Sequence, residues 1–233
     1  MQTLEIALLS ILLLFPIVDL VLEKYKFREK SAEYIKTAVM LWLVAGFLAY
    51  CFFTGALSIA PPQFLPSAHW KGYLAIFIFA TFVAYIKFVV SSIKRDDKVR
   101  LQIRKTFEEG GESLAGMLPE SRKEVLLFTL LVSVSAGVCE ELVFRWYLYS
   151  FIEQQASWIA AVFISSFVFG LWHLYLGWKY VIRTAFVGAV LCIVYLYFES
   201  ILVAMIAHIL MDVYSGTIAY VARNGQNIEQ TSA

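Results

Sequence analysis

Glu140, Glu141 and Arg145 interrupt a stretch that otherwise reads as a membrane-spanning helix. Charge at that depth is costly and marks a functional site facing the protein interior. Glu141 and Arg145 are four residues apart, stacked on one helical face, with the glutamate on the N-terminal side as a stabilising pair requires. Glu140 lies about 100° further round the helix, so it need not share the arginine and is the candidate general base. Downstream, Phe169-Gly170-Leu171-Trp172-His173 closes another apolar run, and His208 and Asp212 lie four apart on a third. Singly, each histidine reads as a buried residue hydrogen-bonded across a bundle. Two of the chain's 3 histidines, an aspartate and a Glu-Glu-Arg cluster together read as a site that activates water.

The elements that must position these groups are membrane helices. Apolar and aromatic residues make up 61% of the 233 residues and charged ones only 16%, and the apolar residues come in runs of about 20, the length that crosses a bilayer. Seven spans are expected, near Thr3–Leu22, Ile35–Leu57, Gly72–Ile93, Glu124–Phe151, Ala156–His173, Tyr180–Phe198 and Ile201–Val221. The fold class is therefore all-α, a polytopic transmembrane bundle forming one membrane-embedded domain over 1–233. The first run carries too little positive charge ahead of it for a cleaved signal peptide and is kept in the fold.

Of the 19 lysines and arginines, 16 fall on one side of such a seven-span arrangement, Lys71 falls on the other, and Lys87 and Arg145 lie within spans. The positive-inside rule then places the N-terminus outside and the C-terminus in the cytoplasm. In the longest loop, Val99, Ile103 and Phe107 recur every four residues, so Asp97 to Glu109 reads either as an amphipathic helix on the anionic leaflet or as a solvated linker. Gly110 and Gly111 end that segment, and Ser121 with Glu124 forms a capping-box pattern that starts the fourth span. Asp19 and Lys87 are expected to reach the interface, Glu199 and Ser200 to turn the chain, and the polar tail from Asn224 to Ala233 to be mobile. Cys51, Cys139 and Cys192 all lie in apolar spans as small packing residues, with no disulfide expected.

The three clusters resemble the CPBP family, the CAAX protease and bacteriocin-processing (Abi) intramembrane proteases. Glu140-Glu141-Leu142-Val143-Phe144-Arg145 matches the Glu-Glu-x-x-x-Arg motif, Phe169 to His173 matches Phe-x-x-x-His, and His208 to Asp212 fits His-x-x-x-Asn/Asp. The resemblance covers residues 120–215, the catalytic helices. It implies a glutamic endopeptidase, with Glu140 and His173 holding and deprotonating a water, His208 and position 212 stabilising the oxyanion, and Glu141, Arg145 and Phe169 shaping the site. Where the family motif allows asparagine this chain has Asp212. An ionised aspartate can only accept hydrogen bonds, so Asp212 is expected to orient His208 and leave the oxyanion to it.

No cofactor is expected. Two histidines and a carboxylate would suffice for zinc, but the spacing matches no metal-ligand pattern, and His-Glu-x-x-His is absent. The expected partners are the bilayer and a membrane-associated peptide or protein substrate, with no nucleic acid. The expected location is the plasma membrane of a bacterium or the endoplasmic reticulum of a eukaryote. Two contrasting classes remain, a transporter lined by the same charges and an idle immunity or scaffold protein; neither a repeat nor a pair of broken spans supports the first. Counting about 1.5 Å per residue puts Glu140 about 24 Å from the start of its helix, and His208 and His173 about 12 and 25 Å from the opposite face. The first two depths agree and the third is too deep, unless helices tilt or the fifth span begins after Ala156.

Overall fold

The computed structural model describes residues 2–25 and 27–230, and their side chains except those of 112, 113 and 225–230. The described residues form helices α1 Thr3–Leu22, α2 Lys30–Phe53, α3 His69–Arg95, α4 Asp97–Glu109 and α5 Glu112–Met117. They continue with a long helix α6 over Arg122–Glu153, then α7 Trp158–Leu171, α8 Trp178–Phe198 and α9 Ile201–Gln230. No strand occurs among them.

Six of these helices are long and apolar enough to cross a membrane, and the seventh apolar helix, α7, has only 14 residues. The expected fifth span, Ala156–His173, is thus shortened at both ends. Ser157 caps it, its Oγ accepting from the Ala160 N–H at 3.3 Å, and the chain then leaves the helix through a 3-10 turn at Leu174–Leu176. The bundle is an integral membrane protein whose outward faces are apolar: Leu13, Phe77, Phe88, Phe163 and Phe186 are all more than half exposed, as lipid-facing side chains are.

Contacts between loops define two ends. At one, the Gln2 side chain donates to Gly55 O, Trp146 Nε1 to Ala60 O, Gln154 to Ser58 O, and Ile201 N to Gln63 O. Glu199, whose φ of 52° is left-handed, turns α8 into α9 there, pairing with Lys71 at 3.2 Å and accepting from Ser67. At the other end Lys30 bridges to Glu120 at 2.9 Å and donates to Leu118 O, and Arg223 bonds Glu120, Leu118 O and Ala115 O. The Tyr180 hydroxyl abuts Gly110 at this same end. The start of α8 therefore shares an end with α4 and α5, so the chain from α7 through the 3-10 turn does complete a seventh traverse. Every basic residue outside the spans except Lys71 gathers at this second end, apart from Lys26, which lies outside the described residues.

Local signals hold at the element boundaries. Asp96 caps α4 by accepting from the Lys98 N–H at 2.8 Å. Ser121 caps α6 through the Glu124 N–H at 3.2 Å, while the Glu124 carboxylate reaches back to the Glu120 N–H at 2.8 Å. The loop expectation changes in one respect. Val99, Ile103 and Phe107 of α4 pack on Ile93, Ile218, Val221 and Ala222 of α3 and α9, so the apolar face is consumed inside the protein instead of lying on a leaflet or in water. Of the tail from Asn224 expected to be mobile, the residues to Gln230 continue α9, and residues 231–233 lie outside the described residues.

Candidate active site

The site is built on α6, where helical geometry changes at the motif itself. Residues Glu141–Leu148 form a π-helix, as do Phe128–Val132, a wider winding that occurs mostly at functional sites. Gly137, one turn before Glu140, lets α9 approach closely: a side chain there would stand 3.1 Å from the Ile209 nitrogen and the Met205 oxygen. That approach brings His208 against the paired glutamates.

Two neighbouring carboxylates have different surroundings. Glu141 is sealed at 0% exposure and pairs with Arg145 at 3.0 Å. The same oxygen, Oε1, accepts from His208 Nδ1 at 2.7 Å. Arg145, itself 1% exposed, lies over the Phe169 ring at 4.2 Å from its centroid and reaches Gly188 O at 3.4 Å. Phe169 touches Phe144, His173 and His208 edge-on, with ring centroids 5.2, 5.1 and 5.9 Å away. It is the common wall between the two histidines.

Glu140 faces the other way, into a cavity of about 310 Å³ that it lines together with His173, Trp172 and Tyr175. Its Oε2 stands 3.8 Å from His208 Nε2, beyond hydrogen-bond length. The cavity runs on to Arg28, Glu33 and Lys36, so it opens at the basic end. His173 Nδ1 lies 3.1 Å from Phe169 O. A carbonyl can only accept, so Nδ1 carries the proton and, in the neutral ring, Nε2 presents a lone pair. Glu140 and His173 thus offer two acceptors to a water in one cavity.

The structure brings Glu140, Glu141, Arg145, Phe169, His173 and His208 together, and Asp212 stands at their edge with its side chain 31% exposed and its Oδ2 3.9 Å from His208 Nε2. The orienting contact expected of Asp212 is made by Glu141, on the other ring nitrogen and at true hydrogen-bond distance. The depth mismatch is partly met by α7 starting at Trp158, which recovers about 3 Å; rise along straight helices does not reproduce the remaining convergence.

Residues 122–214 match a known family model, type II CAAX prenyl endopeptidase Rce1-like. The match agrees with the resemblance read from the three motifs and contains all of Glu140, His173, His208 and Asp212. Neither the curated proteins nor the solved structures contain a match to this chain. The Rce1-like segment does not form the cavity alone. Phe15 and Asp19 of α1, Tyr34, Thr37, Met40 and Leu41 of α2, and Gly116 and Met117 of α5 complete its walls. Asp19, expected to reach for the interface, is half-buried in the lining of this cavity, which opens at the basic end. Sequence reading missed these walls because apolar spans carry no signal for which face meets which partner; Tyr175, two residues past the Phe-x-x-x-His motif, was within reach of a local reading.

Proposed function

We propose that the protein is an intramembrane glutamic endopeptidase acting on a peptide whose scissile bond is delivered into the cavity from the basic end. The observation that carries this reading is that Glu140 and His173 share one open cavity while Glu141 and Arg145 are sealed behind them, Glu141 holding His208 by Nδ1 and leaving its Nε2 on the side of Glu140. A water held by Glu140 and His173 Nε2 loses a proton to Glu140 as its oxygen attacks the carbonyl carbon. The carbonyl oxygen becomes an oxyanion, with His208 Nε2 as a donor when that nitrogen is protonated. Collapse breaks the C–N bond, and the Glu140 proton leaves on the amine, so the carboxylate is regenerated. Glu141 and Arg145 orient His208 and compensate each other's charge. No metal or cofactor enters this route.

The positive-inside rule assigns the basic end to the cytoplasm and the N-terminus to the opposite face, in the plasma membrane of a bacterium or the endoplasmic reticulum of a eukaryote. The substrate must present an extended segment, because a regular helix hides its peptide bonds in its own hydrogen-bond ladder. The family description makes a C-terminal CAAX-type sequence the first substrate to try. The test is turnover of a quenched-fluorescent peptide ending in a farnesylated Cys-aliphatic-aliphatic-X sequence, and of its unlipidated twin, by detergent-purified full-length protein. Cleavage abolished by Glu140→Gln and indifferent to a strong chelator is expected. Loss with chelator and recovery with zinc would contradict the metal-free route, and no cleavage of either peptide would contradict the CAAX-type protease reading.

A further inference from the structure

The oxyanion chemistry of this chain is short of a donor. Where the family motif permits an asparagine, Asp212 offers only acceptors when ionised. His173 Nδ1 is committed to Phe169 O, and His208 Nδ1 is committed to Glu141. His208 Nε2 stands between two carboxylates, 3.8 Å from Glu140 and 3.9 Å from Asp212. Arg145 is sealed away from the cavity lining, so His208 Nε2 is the one potential N–H donor of the three motifs within reach of a developing negative charge there, and it has two acidic neighbours.

The aromatic donors around the cavity can be sorted by what they already bind. Trp172 Nε1 donates to Leu12 O at 2.9 Å, and the Tyr34 hydroxyl donates to Met117 O at 2.6 Å. The Tyr175 hydroxyl makes no hydrogen bond among the described residues, although its ring lines the cavity with Glu140 and His173. That ring stacks beside His173 with centroids 6.3 Å apart and planes inclined by 25°. The 3-10 turn Leu174–Leu176 holds it there, closed by Leu176 N–H to His173 O at 3.0 Å and Gly177 N–H to Leu174 O at 2.8 Å. Gly177, at a φ of 95°, then lets the chain turn directly into α8. A short, backbone-bonded turn fixes the phenol relative to the imidazole more firmly than a free loop would.

We propose that Tyr175 is a further catalytic residue, whose O–H donates a hydrogen bond to the oxyanion formed when the water held by Glu140 and His173 attacks the substrate carbonyl. This rests on the endopeptidase reading above. No proton is transferred in the contact: the phenol keeps its hydrogen at neutral pH, as tyrosine ordinarily does, and the oxyanion gives up the shared hydrogen bond when the C–N bond breaks. Tyr175 would thereby supply the donor that Asp212 does not.

The experiment compares Tyr175→Phe, which keeps the ring beside His173, with Tyr175→Leu, which removes ring and hydroxyl, on whichever of the two fluorogenic peptides the wild type cleaves. Removing one oxyanion donor lowers kcat by about 10²- to 10³-fold elsewhere. The expected result is a loss of that order in kcat for both variants with KM within about twofold, since the contact exists only in the transition state. Installing Asp212→Asn in the Tyr175→Phe background is expected to recover about tenfold or more, by returning a donor to the site. Wild-type kcat in Tyr175→Phe with loss only in Tyr175→Leu would assign the ring a wall role and overturn the proposal, as would a Tyr175→Phe effect confined to KM. Glu140→Gln run alongside separates the two levels: if it turns over normally, the endopeptidase reading itself fails, whatever Tyr175 does.

Discussion

Glu140 and Glu141 are adjacent and chemically identical, yet one opens to the cavity and the other is sealed. Glu141 shares a single oxygen between Arg145 at 3.0 Å and His208 at 2.7 Å, whereas Glu140 has no hydrogen-bond partner within the cluster and borders a cavity of about 310 Å³. The difference comes from direction round α6, one residue apart. It teaches that a pair of carboxylates in a membrane helix can divide the work. A charge paired with an arginine holds the architecture and a partner histidine, and one without a hydrogen-bond partner in the cluster is left to take a proton. On this account, changes at Glu140 should damage turnover and spare the fold, and changes at Glu141 or Arg145 should damage both.

The largest expected effect is therefore on turnover in Glu140→Gln, which keeps shape and removes the base: a loss of about 10³-fold or more in kcat, with thermal unfolding in detergent unchanged. Comparable turnover in the variant would break the division. Next comes the sealed pair. Arg145→Ala or Glu141→Ala leaves an unpartnered buried charge and is expected to destabilise by about 3–5 kcal/mol, read as a lower midpoint in thermal or denaturant unfolding, with activity lost alongside. A smaller effect is expected at Gly137, where Val would push against the Ile209 nitrogen and Met205 oxygen of α9, each 3.1 Å from the first added carbon. Overpacking of this kind costs about 1–3 kcal/mol, and here it would also draw His208 from Glu141 and lower kcat.

The smallest effect concerns the basic end, where Lys30 and Arg223 hold Glu120 against the α5 segment that borders the cavity. The hydrogen bond and charge of Lys30, with the charge of Arg223, hold the Glu120 carboxyl below its ordinary value against a modest opposing effect of burial. Its folded-state value being lowered, the clamp's contribution to stability is fully present above the unfolded glutamate value, about 4.3, and is lost as pH falls through the lower folded value. Glu120→Gln is expected to flatten that acid-side fall in unfolding midpoint while changing the neutral-pH midpoint little, as exposed pairs do.

Much of this was legible before the structure. The run that became α1 ended where α1 ends, at Thr3–Leu22, because hydropathy is local, and Asp97–Glu109 took the helical one of the two readings its four-residue spacing allowed. So were the Glu141–Arg145 pair and the separate standing of Glu140, which follow from helical spacing. The capture of His208 by Glu141 was not legible, since it depends on how closely α9 crosses α6 at Gly137. Nor was the π winding over Glu141–Leu148, which no propensity encodes, or the short α7, whose apolar run continues past the point where the helix stops. The cavity walls from α1, α2 and α5 were hidden for the same reason: in a membrane bundle most faces are apolar, so composition does not say which face meets protein and which meets lipid.

The measurement that most directly tests the central claim is a paired one: kcat on the cleaved fluorogenic peptide and the thermal midpoint, for Glu140→Gln and Glu141→Gln purified side by side. The account predicts a folded, wild-type-stable and inactive Glu140→Gln beside a destabilised Glu141→Gln. A stable, inactive Glu141→Gln beside an active Glu140→Gln would contradict it.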